Sequence, residues 1–324
     1  MTQNELEPRH STVLDDVALA RIARAVAGSR APETRRAYRS ALRGLEAWAA
    51  ERGYSVSPLS APVLAAYLTE RAEAGAAVST LGIILAAVHD HASAHTEPDP
   101  TTTAGIRAVM GGLRREYGVA PRRQAHPVSL DELRRILSGI DVETAAGRRD
   151  AAVILTGYAG AFRRSEVAAL RRCDLTLSGE GIVVRVPRSK SDQEGQGQVV
   201  GITRGQHELT DPLRAMRRWL AIRGGVTTDT VFCRITKSGS LLPGGLKGQA
   251  VGLILQRRAA GVGLGHLEIS GHSLRAGHAT TAASHGVPAE RLARTTRHKS
   301  LEVLSRYIRP ARVLGDTTAA DLGL

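Results

Sequence analysis

The sequence predicts a mainly α-helical protein with a small β-hairpin or sheet, an α+β arrangement in two domains. Three observations support this prediction. From residue 15 to residue 117, apolar residues recur at helical spacing and no strand pattern interrupts them. A short stretch with two prolines, GVAPRRQAHPVS, then reads as a linker. Beyond it, residues 181–187 and 198–202 resemble a strand pair within otherwise helical sequence.

The chain has 324 residues, and at about 150 residues per domain this length indicates two domains. Ser129 followed by Glu132 forms a capping box that begins the second domain. Further on, Asp211 and Pro212 suit the N-cap and first position of another helix. The predicted divisions are a disordered tail, a helical domain, a linker, a mixed domain and a C-terminal tail, at residues 1–14, 15–117, 118–128, 129–310 and 311–324.

The charge balance is strongly basic, with 44 Lys and Arg against 31 Asp and Glu and a formal net charge of +13. A protein this basic commonly binds a polyanion, although a merely solvated basic surface stays open as an alternative. Within the predicted helix 34–51, the residues Tyr38, Leu42, Leu45 and Trp48 share one face. The arginines of this helix lie mostly away from that face and give it a basic side: Arg35, Arg36, Arg39 and Arg43.

Several function classes find little support in the sequence. The N-terminal MTQNELEPRH lacks a signal-peptide pattern, and no apolar run reaches the roughly 18 residues of a membrane span, so we expect a cytoplasmic protein. Cys173 and Cys233 fit neither a disulfide framework nor a zinc site. His91 and His95 share a helix with His89, but no carboxylate or Cys completes a metal site. No phosphate-binding GxxxxGK[ST] loop exists, so ATP hydrolysis is not indicated. We expect no metal and no other cofactor.

Two segments of the second domain carry cationic groups suited to a phosphate. In GAFRRSEVAAL, Arg163 and Glu166 stand three apart near a helix start, and an ordinary helix salt bridge is the alternative. In GHSLRAGHATTAA, His272 and Arg275 also stand three apart. If Ser273 caps a helix, both lie near its N-terminus, where an anion is favoured. The alternative is a surface His and Arg without a shared ligand.

Two further segments carry groups that could transfer protons or attack phosphorus. Lys190 sits in RSKSDQEGQG, the turn between the two predicted strands, where it could donate a proton or simply be solvated. In TRHKSLEVLSRYIRP, His298 precedes Tyr307 by nine residues, and Ser300 can cap the helix between them. A Tyr can act as a covalent nucleophile, but it can equally anchor a helix end in the core.

Taken in this order, the four segments resemble the catalytic domain of the tyrosine recombinases, the phage integrase type. The match covers most of residues 126–310, and TRRAYRSALRGLEAW resembles the family's SAM-like core-binding bundle. Departures are Arg297, where Gly is commoner, a second arginine at Arg164, and His278, which we interpret as structural where a hydrophobic residue is frequent. The matching positions are Arg163, Glu166, Lys190, His272, Arg275, His298 and Tyr307.

The resemblance implies a site-specific recombinase that cleaves and rejoins DNA through a 3′-phosphotyrosyl intermediate without a cofactor. The implied catalytic groups are Arg163, Lys190, His272, Arg275, His298 and Tyr307, with Glu166 in support. The arginines expected to contact DNA are Arg35, Arg36, Arg39, Arg43, Arg122 and Arg123. The implied partners are double-stranded DNA at specific sites, three further copies in a tetramer, and accessory DNA-bending proteins, at a nucleoid-associated location.

Three other functions remain open at this point. A nicking-closing enzyme of the type IB topoisomerase kind would use most of the same groups. A DNA-binding protein with an inactive recombinase fold is expected to have lost a nucleophile or an arginine, and this chain has lost neither. A helical protein without a nucleic-acid role leaves the charge and the four segments unexplained.

Overall fold

The computed structural model describes residues 15–28, 30–120, 124–187, 197–225 and 229–297, together with Leu304 and Leu322. The chain divides into two compact units, an N-terminal unit of residues 1–123 and a C-terminal unit of residues 124–324. Among the described helices, none combines the length and apolar character needed to cross a membrane.

The N-terminal unit is a helical bundle over its described residues, as predicted. Its helices are α1 (Asp16–Gly28), α2 (Pro32–Glu51), α3 (Ala61–Glu73), α4 (Val78–His95) and α5 (Ala104–Tyr117). In the bundle, α2 packs against α4 and α3 packs against α5. The core is formed by apolar residues from these four helices, including Leu45, Trp48, Leu64, Leu68, Leu81, Ile84, Ile106 and Met110.

Helix α2 has the two faces that its sequence predicts. Leu45 and Trp48 are buried, and Tyr38 and Leu42 are partly buried on the same side. The indole nitrogen of Trp48 donates a 2.9 Å hydrogen bond to Glu70 of α3, which links the two helices. The arginines of the opposite side are exposed, namely Arg35, Arg36, Arg39 and Arg43.

The C-terminal unit combines helices with two small sheets and confirms the α+β prediction. Its elements are α6 (Leu130–Ser138), α7 (Ala145–Ala159), α8 (Arg164–Ala169), β1 (Leu175–Leu177), β2 (Gly181–Val186), β3 (Gln198–Thr203), α9 (Pro212–Arg223), β4 (Cys233–Ile235), β5 (Leu241–Gly245), α10 (Gly248–Ala260), α11 (Ser273–Ser284) and α12 (Ala289–Thr296). Helix α7 is almost entirely buried and packs against α9 and α11.

The predicted helix starts are confirmed by their hydrogen bonds. The amide of Ser129 donates to the Glu132 carboxylate at 2.8 Å, and the Glu132 amide donates to the Ser129 hydroxyl at 3.2 Å. The Asp211 carboxylate accepts from the amide of Leu213 at 2.9 Å, and Pro212 is the first residue of α9. Each cap satisfies amide groups that have no partner within their own helix.

The strands are only partly those predicted. The strand pair is confirmed as β2 and β3, which are antiparallel and form a three-stranded sheet with β1. The expectation of mostly helical sequence after Pro212 was wrong at β4 and β5, which form a second antiparallel sheet. Both strands are short, with three and five residues, and β5 contains Pro243 and two glycines, which are depleted in strands.

Three glycines allow close contacts with α8 and α11, two of them with backbone atoms and one with a side chain. A Cβ on Gly157 of α7 would lie 2.8 Å from Leu274, and a Cβ on Gly277 would lie 2.0 Å from the carbonyl oxygen of Val128. A Cβ on Gly248 at the start of α10 would lie 3.3 Å from the Cα of Ser165. The glycines let α7 and α10 contact these helices closely, so the segments that begin at residues 163 and 272 have fixed positions.

Candidate active site

Arg163 and Glu166 meet at the first turn of α8. Arg163 is the N-cap residue rather than a member of the helical face, and its amide donates to Glu166 Oε2 at 2.9 Å. Its guanidinium donates to Glu166 Oε1 at 2.7 Å. The Glu166 side chain is buried and that of Arg163 is partly exposed. The acid therefore holds both the backbone and the guanidinium of Arg163.

A second arginine binds the same carboxylate. Arg297 follows α12 with a left-handed backbone, φ 57° and ψ 45°, and its Nη2 donates to Glu166 Oε2 at 2.7 Å. Burial, the largest influence, would raise the pKa of Glu166. The charge of Arg297 and the bonds and charge of Arg163 outweigh it and hold this pKa below its ordinary value of 4.5. Glu166 is therefore a carboxylate at neutral pH.

Arg275 is fixed by the turn that precedes Arg163. It is 1% exposed, and its Nη1 donates to the carbonyl oxygen of Ala161 at 2.7 Å. Arg297 donates to the same oxygen through Nη2 at 3.2 Å. Ala161 has a positive φ of 47°, and a Cβ on Gly160 would lie 2.2 Å from the Phe162 ring. This tight turn presents one carbonyl to two guanidinium groups.

His272 occupies the N-cap of α11, which corrects the expectation that Ser273 caps this helix. The Ser273 hydroxyl instead accepts a 2.9 Å bond from the amide of Ser270, so it stabilises the preceding turn. His272 reaches solvent on one side. Partial burial, followed by the charges of Arg275, Arg163 and Arg164, lowers its pKa below the ordinary 6.5. The imidazole is therefore neutral at pH 7 and able to accept a proton.

His278 is partly buried and lies six residues after His272 in α11. Its ring meets the Tyr158 ring edge-on with centroids 6.1 Å apart, and the Tyr158 hydroxyl donates to Thr281 at 2.9 Å. Burial lowers the pKa of His278 in spite of a hydrogen bond with Tyr158, and the charges of Arg275 and Arg297 act in the same direction. These contacts agree with the interpretation of His278 as structural.

The structure thus brings together four of the predicted site residues: Arg163, Glu166, His272 and Arg275. Lys190, His298 and Tyr307 lie outside the described residues, as do Arg122 and Arg123. From the sequence, Arg297 was only a departure from the family pattern, and its place in the site was not predicted. A signal was present, because a residue that ends a helix where Gly is usual commonly needs a left-handed backbone.

Two histidines of α4 make short contacts through their Nδ1 atoms. His89 Nδ1 lies 2.6 Å from Asp99 Oδ2, and His95 Nδ1 lies 2.8 Å from the carbonyl oxygen of His91. In the part of the chain that the structure describes, no three or more His, Cys, Asp or Glu side chains are grouped to hold a metal ion.

Comparison with known proteins agrees with the fold. Residues 128–312 match the model of the phage integrase family, and residues 25–94 match that of the phage integrase N-terminal SAM-like domain. These matches define a two-domain tyrosine recombinase. An integrase/recombinase xerD homolog of Selenomonas ruminantium is 31% identical over 89% of this chain and 84% of its own length. The chain belongs to the phage integrase family.

Two other relatives agree with this assignment. A tyrosine recombinase XerD of Xanthomonas axonopodis pv. citri is 27% identical over 74% of this chain and 82% of its own length. A lambda integrase tetramer bound to a Holliday junction shares the fold, with a TM-score of 0.60 and 17% identity over 89% of this chain and 75% of the lambda chain. Both of these proteins are recombinases or integrases by name.

Proposed function

We propose that this protein is a site-specific DNA recombinase that cleaves and rejoins strands through a covalent 3′-phosphotyrosyl intermediate. The observation that carries the proposal is that Arg163, Arg275 and His272 lie close together beside one tight turn, in a chain of the phage integrase family. We assign catalysis to residues 129–310 and core DNA binding to residues 15–117.

The arginines suit a phosphodiester under attack. As the phosphorus becomes five-coordinate, negative charge increases on its two non-bridging oxygens. Donors fixed beforehand stabilise that charge best, and one such donor contributes about 3 kcal/mol to catalysis. Arg163 and Arg275 are held by Glu166 and by the Ala161 carbonyl, so little reorganisation is needed when DNA binds. We assign both arginines, together with His298, to these oxygens.

The proton transfers follow from the same arrangement. In the proposed reaction the Tyr307 hydroxyl oxygen attacks phosphorus and gives its proton to His272. The bond from phosphorus to the 5′ oxygen breaks, and Lys190 protonates that oxygen as it leaves. The low pKa of His272 keeps it ready to accept a proton at pH 7. Glu166 is bound by two arginines, which suits an orienting role rather than a reacting one.

The covalent step retains the energy of the phosphodiester, so a 5′-hydroxyl from another strand can attack the phosphotyrosine and reverse the reaction. No cofactor is needed in this scheme. We propose that four copies assemble on two DNA sites, in keeping with the lambda integrase tetramer on a Holliday junction. In this proposal, residues 311–324 contact a neighbouring subunit. We also propose that accessory DNA-bending proteins take part and that the protein is cytoplasmic and associated with the nucleoid.

The basic side of α2 supports the assignment of DNA binding. Four arginines with exposed side chains lie on the side opposite the core, where they can reach the phosphates of a duplex. We propose that Arg122 and Arg123, in the linker segment of the sequence, also contact the DNA. The α2 arginines are Arg35, Arg36, Arg39 and Arg43.

The test is to map covalent junctions on genomic DNA. Protein trapped on DNA by denaturation is recovered, and the attached strand is sequenced to give the site and the polarity. We expect one or a few defined sites with the protein on the 3′ phosphate. Tyr307→Phe should form no adduct and still bind the mapped site nearly as well as the wild type.

Two outcomes would contradict the proposal. An SDS-resistant adduct formed by Tyr307→Phe would reject Tyr307 as the nucleophile. Relaxation of supercoiled plasmid without any preferred site would favour the nicking-closing reaction over recombination.

A further inference from the structure

Arg297 makes a set of contacts that a solvent-facing helix end does not need. The residue is 6% exposed, and its guanidinium donates to the Glu166 carboxylate at 2.7 Å. It also donates to the carbonyl oxygens of Gly160, Ala161 and Thr295 at 3.1, 3.2 and 3.0 Å. Its Cζ lies 4.7 Å from the centre of the Phe162 ring. All but one of these partners belong to the segment 160–166.

This placement is costly for the protein. A left-handed backbone strains a non-glycine residue, and burial lowers the pKa of Arg297 because it penalises the charged guanidinium. A glycine at position 297 would adopt the same backbone without either cost. The compensating contacts are therefore the reason that an arginine is accommodated here.

We propose that Arg297 is a positioning residue that sets the geometry and the charge of the phosphate-binding arginines. This inference rests on the proposed function. Through Glu166 it holds Arg163, and through the Ala161 carbonyl it holds the turn that orients Arg275. Arg297 itself is buried behind the turn and is not assigned a contact with DNA.

The charge of the cluster supports the proposal. Without Arg297, the charge of Glu166 would cancel that of Arg163. Arg275 would then be the remaining positive charge of the three for a phosphate. With Arg297 sharing the carboxylate, three guanidinium groups face one acid, and the cluster keeps a net charge of plus two. The additional positive charge is suited to an oxyanion that becomes more negative in the transition state.

The order of the chain adds a second role for the same contact. Arg297 directly precedes His298, the next residue assigned to the phosphate. By binding the carbonyls of Gly160 and Ala161, Arg297 ties the end of α12 to the turn before Arg163. The start of the segment that carries His298 and Tyr307 is thus joined to the site by a side chain as well as by the backbone.

The test compares Arg297→Met and Arg297→Lys with the wild type in single-turnover cleavage of the mapped site. Two substrates are used, one with the natural scissile phosphate and one with a neutral methylphosphonate there. We expect Arg297→Met to cleave the phosphate about 100-fold more slowly with nearly unchanged DNA affinity. Its defect should shrink markedly on the methylphosphonate, and Arg297→Lys should recover part of the rate. Arg291→Met is the matched control, because Arg291 is an exposed residue of α12, the helix that Arg297 directly follows.

The outcomes separate this inference from the proposed function. If the wild type forms no adduct on any substrate, the proposed function fails. If the wild type cleaves and Arg297→Met cleaves equally well, only the positioning role is overturned. An equal loss on both substrates would overturn it too, because a purely structural defect is indifferent to the charge on phosphorus. Arg297→Gly relieves the backbone strain, so it separates loss of the side chain from misfolding if Arg297→Met is unstable.

Discussion

Replacement of Glu166 with Gln removes one charge from the centre of the site and leaves the shape of the side chain unchanged. The carboxylate accepts two 2.7 Å bonds, one from Arg163 and one from Arg297, and a third bond from the Arg163 amide. A glutamine has one acceptor oxygen, and its NH₂ group must then face a guanidinium that also donates. We expect both arginines to lose their fixed positions.

The magnitude follows from the burial of the Glu166 side chain, which is only 2% exposed. Two charges about 4 Å apart interact by about 4 kcal/mol at an effective dielectric constant of about 20. Breaking a buried ion pair costs about 3 to 5 kcal/mol. Because the amide keeps part of the hydrogen bonding, we expect Glu166→Gln to lower the free energy of unfolding of the C-terminal unit by about 3 kcal/mol.

The chain offers a matched control in Asp131. It pairs with Arg134 at the same spacing of three residues and a distance of 3.0 Å, but its side chain is 91% exposed. Solvent screens such a pair, so Asp131→Asn should change the stability little. The contrast between the two variants isolates burial as the cause.

The loss in Glu166→Gln should also depend on pH. The folded-state pKa of Glu166 lies below its ordinary value, so the charged form stabilises the fold above that value. This stability disappears as the pH falls through the folded-state pKa. The difference between wild type and Glu166→Gln should therefore be full at neutral pH and shrink in acid.

Urea unfolding measures these differences. In a Trp48→Phe background, the remaining buried Trp219 reports on the C-terminal unit alone. The midpoints of wild type, Glu166→Gln and Asp131→Asn are compared at neutral and acid pH. Equal midpoints for wild type and Glu166→Gln at neutral pH would refute the reasoning, and so would a difference that grows in acid.

Three further perturbations test other parts of the structure. Gly277→Ala should lower the free energy of unfolding by about 1 to 3 kcal/mol in urea, because the new Cβ would lie 2.0 Å from the Val128 carbonyl oxygen. Gly112→Ala, on a helix with open space at that position, should instead raise it by up to about 1 kcal/mol. The cleavage rate should fall in acid with a midpoint below 6.5, the ordinary pKa of histidine, and His272→Gln should lack this fall. A midpoint at or above pH 6.5 would contradict the lowered pKa of His272. Arg39→Gln should reduce the salt dependence of DNA binding by about one counterion, and an unchanged slope in a filter-binding titration would remove Arg39 from the interface.

The parts of the fold that could be predicted depend on local interactions. The two faces of α2 follow from the spacing of Leu45 and Trp48, and the start of α6 follows from the capping box of Ser129 and Glu132. The pair of β2 and β3 follows from two β-branched runs separated by a polar turn. In each case neighbours within a few residues determine the conformation.

The parts that could not be predicted depend on contacts between distant segments. β4 is three residues long and gains its position by pairing with β5, so its own sequence carries little signal. The N-cap residue of α11 is His272 and not the predicted Ser273, whose hydroxyl accepts a hydrogen bond from the Ser270 amide. Arg297 lies 131 residues from Glu166 along the chain, and no periodicity connects them.

Helix α8 is six residues long, and Arg163 stands at its first turn. A helix this short does not persist in water by itself, so its existence depends on packing against α10 and α7. The position of the Arg163 side chain consequently depends on the packing of the whole C-terminal unit and not on its own segment alone. On warming, this packing can loosen slightly before the protein unfolds, and the guanidinium of Arg163 then loses its fixed position. Strand cleavage should therefore decline at temperatures where circular dichroism still reports an intact protein.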